Sequence, residues 1–346
     1  MDLNGIKMTP LMDTLYLEKI SDEEYFSERY SNYISNSRLS LINPDQDNDP
    51  QAFFEGLGKH NKYSDALIFG SAVHELVLQP DLFHLCFDVD RPTSKAGFMA
   101  DELYNQFKGE DPTDEAIIAA SDKIDYYKGK MNEKRISELR DKCKDYWKTR
   151  AEYEKNQLAK GTPIYLDAKS RERAQQCVHA LARNKQIQTL LHPDGIIETP
   201  ISENEQAILL DVMVEIPDQQ PFKLRMKAKL DNFTINKDTN TITINDLKTI
   251  GKILSYFEEN FDKYHYHREL AIYSWLLSLC AEKFYGMKDC TVKSNCLVVS
   301  TIPEYYTKVY QVTKKDLDKG WKEFRKLLML VSGHVAANYK DFGIWI

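Results

Sequence analysis

PFKLRMKAKLDNFTINKDTNTITINDLKT, residues 221–249, is the stretch that decides the fold. Phe222, Leu224, Met226, Ala228 and Leu230 alternate with Lys223, Arg225, Lys227, Lys229 and Asp231. That period of two predicts a half-buried strand. A polar turn at 236–240 and a second strand at 241–248 complete a hairpin. In the second strand Asp246 and Lys248 stand two residues apart, so their side chains share a face. Register counting across the turn sets Asp231 within about one residue of Asp246. Two carboxylates and one ammonium therefore converge, with a basic stripe leading to them.

Two carboxylates at one end of a sheet can hold a hard divalent cation such as Mg²⁺ and leave positions for water and a phosphate oxygen. A lysine beside that cation can orient or deprotonate an attacking water and offset charge in a phosphoryl transition state. The alternative is a hairpin whose exposed face carries charge, and Asp…Asp-x-Lys alone does not choose between them.

A chain of 346 residues can bury a large core, as one elaborated domain or a domain with an insertion. With 29% charged and 42% hydrophobic residues it has the composition of a soluble protein. No apolar run approaches the roughly 20 residues of a membrane span, and the N-terminus lacks a signal-peptide core. The expectation is a cytoplasmic protein without a membrane partner. Cys86, Cys143, Cys177, Cys280, Cys290 and Cys296 form no C-x-x-C pair and are expected to be buried thiols. A net charge of −7 excludes a uniformly basic surface but leaves room for a local groove that pairs with phosphates.

Residues 1–34 carry no defensible chemistry. A short turn at 37–42 is stopped by Pro44, and 51–57 is another amphipathic piece. The first strong helix is 64–79, with an apolar stripe through Ala66, Leu67, Gly70, Val73, His74 and Val77, and Pro80 at its end. His74 on that stripe reads either as a core histidine or as an imidazole aimed at a metal. Residues 95–160 read as helical and highly charged, either a solvated insertion or a clamp against DNA. A helix at 167–191, strands at 196–202 and 207–216, the hairpin, a helix at 262–282, strands at 296–301 and 305–312, and a helix at 313–331 complete the chain. That order predicts an α/β protein. On the 262–282 helix Tyr266, Glu269 and Tyr273 share a face.

Gly70-Ser71-Ala72-Val73-His74-Glu75-Leu76, Lys229-Leu230-Asp231, Asp246-Leu247-Lys248-Thr249 and Tyr266-His267-Arg268-Glu269-Leu270-Ala271-Ile272-Tyr273 occur in the order found in PD-(D/E)xK nucleases. Within that superfamily the chain resembles the RecE-type, exonuclease VIII-like exodeoxyribonucleases of phages and prophages over roughly residues 30–312, most specifically through Ser37-Arg38-Leu39-Ser40 and the run that follows Gly70. The resemblance implies a restriction-endonuclease-like core, a central mixed sheet flanked by helices with a charged helical insertion at 101–160, in a domain spanning 35–346 after a leader at 1–34. It makes Asp231 and Asp246 metal ligands and catalytic residues, with His74, the Leu247 carbonyl and Glu198 further ligands, and puts Lys248 in the catalytic lysine's place. Arg225, Lys227, Tyr266, Glu269 and Tyr273 become DNA contacts. Glu269 departs from the family's glutamine, and an ionised carboxylate there would repel a phosphate. The implied cofactor is Mg²⁺, replaceable by Mn²⁺, and the implied substrate is the end of double-stranded DNA in a bacterial host. Single-strand products for recombination, an annealing-protein partner and a homo-oligomeric assembly follow from the same likeness. An endonuclease or nickase using the same residues, or a DNA-binding module with a weakened site, are the competing functions.

Overall fold

The computed structural model describes residues 1–43, 53, 65–83, 87–88, 95–107, 110–124, 126–127, 131–157, 164–166, 168–193 and 201–336. The chain divides into two compact units, Met1–Ser64 with Gln176–Ile346, and Asp65–Gln175. The first is built on an eight-stranded sheet. Its strands are β1 (Asp2–Leu3), β2 (Ile6–Pro10), β3 (Tyr16–Glu18), β4 (Ile201–Glu215), β5 (Phe222–Asn236), β6 (Thr241–Ile250), β7 (Thr291–Ser300) and β8 (Thr307–Gln311). They lie in the order β1-β2-β4-β5-β6-β7-β8, with β3 also pairing β4.

β6 and β7 are parallel, and the other pairs of this sheet are antiparallel. A parallel pair needs a crossover, which α1 (Phe257–Lys263) and α2 (Tyr266–Tyr285) supply. α3 (Lys314–Ala336) packs on α2. The expected α/β class, a mixed sheet flanked by helices, is the architecture found. Residues 1–34 are not a separate leader, because β1 to β3 extend the sheet beyond β4.

The alternation in β5 does what its period requires. Phe222, Leu224, Met226, Ala228 and Leu230 are each no more than 2% exposed. Burying each of the larger ones contributes about 1.5–3 kcal/mol. Helix 262–282 of the sequence reading is interrupted: His265 adopts φ +57, which ends α1 and starts α2. The helix expected at 167–191 is likewise divided, at Asn184, whose side chain caps Gln186 and Ile187.

β5 and β6 form a fork. Their ladder runs only from Asn236↔Thr241 to Asn232↔Asn245. Beyond it β6 stays with β7 as far as Ile250↔Ser300. The edge that β5 leaves is bridged by Ile34, whose N–H donates to the Arg225 carbonyl at 2.7 Å and whose carbonyl accepts from Lys227 N–H at 3.1 Å. At the base of the fork four asparagines join four strands. Asn295 Nδ2 donates to Asn245 Oδ1 at 3.1 Å, Asn245 Nδ2 to Asn232 Oδ1 at 2.8 Å, and Asn232 Nδ2 to Asn204 Oδ1 at 2.8 Å. Asn232 and Asn245 are buried. A buried amide left unpaired costs about 1–3 kcal/mol, so these bonds disfavour any other register.

The second unit is helical. Lys95–Phe107, Asp114–Lys123 and Glu133–Gln157 share a core of Met99, Leu103, Tyr104, Ile117, Leu139, Cys143 and Trp147. Trp147 Nε1 donates to the Ala100 carbonyl at 2.9 Å. The charged stretch therefore buries an apolar cluster of its own. Its helix Asp65–Leu78 carries His74, and Ala72, Phe83 and Leu166 form a second small cluster. Phe87–Asp88 and Ile164–Tyr165 pair as a short parallel ribbon.

Candidate active site

The fork in the first unit gathers acids into one row. Glu205 and Asp231 are flanked by the rungs Asn204↔Asn232 and Gln206↔Leu230, so they face each other across β4 and β5. Asp231 and Asp246 extend the Asn232↔Asn245 register by one step. Neither pair is joined by the backbone ladder. At Glu205 the backbone turns to φ +54, and between Asp231 and Asp246 the strands part. The Asp231 carboxylate fills the gap, its Oδ2 accepting Leu247 N–H at 2.7 Å. Carboxylate oxygens of Glu205 and Asp231 come within 4.8 Å. Neighbouring residues on a strand point to opposite faces, so the acids occupy one face and the asparagines the other.

Lys248 closes the row. Its Nζ lies 2.9 Å from Asp246 Oδ2 and 3.3 Å from Glu269 Oε2, and 4.6 Å from the centre of the Tyr266 ring. Glu269 Oε1 accepts the Tyr273 hydroxyl at 3.2 Å. Cys296, paired with Asp246 in the parallel ladder, brings Sγ to 3.9 Å from Asp246 Oδ2. Asp246 is 3% exposed. Burial pushes its carboxyl up to about 7, with Lys248 opposing the rise and Glu269 and Asp231 adding to it. For Lys248, burial works against the charge, but Asp246 and Glu269 outweigh it and hold the ammonium well above its ordinary value. Burial also raises Tyr266 above the usual phenol range.

Asp231, Asp246, Lys248, Tyr266, Glu269 and Tyr273 are thus brought to one place. Leu247 is buried, with its N–H held by Asp231. Glu269, read from the sequence as a DNA contact, stands against Lys248 instead. Arg225 packs over the Tyr33 ring, 5.8 Å from its centre, with Nε 3.8 Å from Asp211 Oδ1. Lys227 is not on an open basic stripe. Its Nζ is buried, donates to the Tyr25 carbonyl at 2.8 Å and lies over the Tyr25 ring. Alternation put it on the outer face, but residues of the N-terminal segment cover that face. His74 is half-buried on its helix in the second unit, and Glu198 lies outside the described residues.

Glu205, Lys229 and Cys296 are the members that the sequence reading missed. Lys229 pairs with Glu205 Oε2 at 2.9 Å and with Asp22. The available signal was an acid run, Glu203-Asn204-Glu205, set directly before the apolar stretch that begins at Ala207. The left-handed backbone that turns Glu205 has no such signal.

The burial of Lys227 is testable. Burial, and then the Arg38 charge, lower its ammonium to about 8. With the folded value below the ordinary one, the stability this group contributes is present at high pH and is lost as pH falls through about 8. Lys227→Met is expected to flatten stability between pH 8 and 10 and to add about 1–3 kcal/mol at pH 7. Thermal unfolding across that range checks it; a parental pH slope in the variant contradicts the assignment.

No family model and no curated protein matches the chain. Among solved structures, a protein from Eubacterium rectale entitled "Putative exonuclease" is similar at a TM-score of 0.43 and 13% identity, covering 91% of this chain and 88% of that one. The described residues contain no helix long and apolar enough to cross a membrane.

Proposed function

We propose that the forked hairpin is the active centre of a Mg²⁺-dependent deoxyribonuclease, an exonuclease that resects duplex DNA from its ends, with Mn²⁺ able to replace Mg²⁺. The observation that carries this reading is Lys248 held between Asp246 and Glu269 beside a row of carboxylates. Glu205, Asp231, Asp246 and Glu269 supply four carboxylates, against the ammonium groups of Lys229 and Lys248. The excess of buried negative charge is what a hard divalent cation balances, and carboxylate oxygens are the donors such a cation prefers. The donor set therefore fits Mg²⁺, with Asp231, Asp246 and Glu205 as ligands and the Leu247 carbonyl as a further one. A bound Mg²⁺ supplies Lewis-acid stabilisation of the phosphodiester and acidifies a water.

The chain's own residues do the rest. Lys248 is a fixed cation rather than a base, because the carboxylates around it favour its charged form. It offsets charge developing on the phosphoryl oxygens and can orient the attacking water, at no reorganisation cost during reaction. Glu269 and the Tyr266 ring fix its position, and Tyr273 fixes Glu269. Arg225 is the remaining candidate for a phosphate contact along β5. The 5′-to-3′ polarity, the homo-oligomeric assembly and the delivery of single strands to an annealing protein rest on the motif resemblance.

The test is digestion of end-labelled linear duplex and of covalently closed circular duplex with Mg²⁺. Nucleotide release from the linear form alone is the expected result. Cleavage of the closed circle replaces the reading with an endonuclease or nickase. Binding of duplex without cleavage of either form makes the protein a DNA-binding module.

A further inference from the structure

α3 meets the start of α2 at a glycine. A Cβ at Gly320 would lie 2.2 Å from the His267 carbonyl oxygen, so the two helices touch backbone to backbone. That approach brings Glu323, one turn further along α3, onto three polar side chains of the α1–α2 junction and α2, His265, His267 and Arg268. Glu323 Oε1 lies 2.6 Å from His265 Nδ1, and Oε2 lies 2.9 Å from His267 Nε2. Arg268 Nη1 holds Oε1 at 3.0 Å, while its Nε and Nη2 are taken by Asn36 and Ser40. Arg268 is fully buried. None of these groups belongs to the row of acids, which uses Tyr266, Glu269 and Tyr273 on another face of the same helix.

We propose that His265, His267 and Glu323 form a binding site for a transition-metal ion of the zinc class, separate from the carboxylate row. Two imidazoles and one carboxylate are a donor set that suits Zn²⁺, Co²⁺ or Ni²⁺ and is unsuited to Mg²⁺. One ligand atom from each residue lies within 4.8 Å of the others, the spread that a single ion can span.

Two observations distinguish this from a plain ion-pair network. Glu323 Oε2 is buried and accepts no hydrogen bond, although His267 Nε2 is 2.9 Å away. At 2.9 Å the two atoms stand closer than the roughly 3.3 Å between two ligands of one tetrahedral Zn²⁺, so an ion taken up here draws ring and carboxylate slightly apart. His267, 2% exposed, also keeps its Nδ1 without a hydrogen-bond partner among the described residues. A ring used only to bind a carboxylate would gain nothing from being sealed in this way.

The second observation is backbone strain. His265 is held at φ +57, a conformation that costs a residue with a side chain about 1–3 kcal/mol. The turn delivers its Nδ1 to Glu323 instead of into solvent. Arg268 and Asn43, whose Nδ2 donates to Oε1 at 3.3 Å, orient the carboxylate from behind. That is the work of groups surrounding a metal ligand. The guanidinium charge weakens cation binding, but it is engaged with Oε1, which it shares with His265, and Oε2 faces His267.

The experiment uses the full chain carrying Asp246→Asn, so that the carboxylate row and this site are read separately. Titration with Zn²⁺ is expected to give one equivalent bound per chain and a raised Tm. Co²⁺ should give visible d–d bands, and Cu²⁺ an electron paramagnetic resonance signal split by imidazole nitrogen. In the same background His265→Asn, which keeps a residue tolerant of the left-handed backbone, should weaken Zn²⁺ binding at least tenfold and abolish the Tm rise. Glu323→Gln should do the same. Zn²⁺ bound equally by the His265→Asn protein, or not bound by the Asp246→Asn protein, overturns the site. Failure of the nuclease assay would leave this result standing, since no step of it depends on cleavage.

Discussion

Lys248→Ala is expected to lower the rate of nucleotide release from linear duplex by about 10²–10³-fold, the loss typical of removing one preorganised electrostatic contact to a transition state. Asp246→Asn is expected to abolish release altogether, because it removes both a ligand for the cation and one of the two carboxylates that fix Lys248. Stability separates this from simple misfolding. Burial raises the Asp246 carboxyl from 3.8 to about 7 in the folded protein. A raised value means that the stability linked to this group is present at low pH and lost as pH rises through about 7. At pH 8 with a chelator present, Asp246→Asn should therefore unfold at the parental temperature or above it. Loss of cleavage without loss of Tm is the signature of a group kept for chemistry at a cost in stability. A Lys248→Ala protein that digests DNA at the parental rate would falsify the assignment of the fork as an active centre.

The second large effect is on folding. Alanine is a better helix former than glycine by about 1 kcal/mol, so Gly→Ala in an unobstructed helix stabilises. At Gly320 the new Cβ meets backbone, the His267 carbonyl oxygen at 2.2 Å and its carbon at 2.6 Å. Neither can move as a side-chain end would, so α3 must shift and carry Glu323 away from Arg268. An uncompensated buried charge costs about 3–5 kcal/mol. Gly320→Ala is expected to lower Tm by about 6–20 °C at 2–4 °C for each kcal/mol. Gly333, on the same helix with nothing within 4 Å, is the control, and Gly333→Ala should hold or raise Tm. Equal Tm changes in the two variants would show that the helices do not touch at Gly320.

The sequence made β5 and β6 readable because period-2 alternation is a local consequence of burying one face. It also placed Asp246 beside Lys248, since a two-residue spacing on a strand leaves no choice of face. What escaped were the features made by distant chain. Lys227 alternates as an outward residue, and only the arrival of Tyr25 over that face encloses it. Glu205 joins the acids through one left-handed residue that interrupts β4 pairing, and no neighbouring side chain announces it. The break at His265 is similar, because a helical pattern runs through it unbroken while the backbone does not. Residues 1–34 showed no period because β1 to β3 are too short to display one, at two, five and three residues.

The four linked asparagines have one more consequence, for where this chain can be lengthened. A hairpin usually takes its alignment from its turn, so a change of loop length shifts every pair behind it. Here Asn232 and Asn245 are fastened to each other and to Asn204 and Asn295 on the outer strands. The alignment of β5 with β6 is therefore held from within the sheet, six residues from the exposed tip at Asp238 along β5. A peptide or fluorescent label grafted between Asp238 and Thr239 meets only the slow growth of loop entropy, about 0.6 kcal/mol for each doubling of length. One residue added between Asp231 and Asn232 does the reverse, because acid and amide then point to the same face.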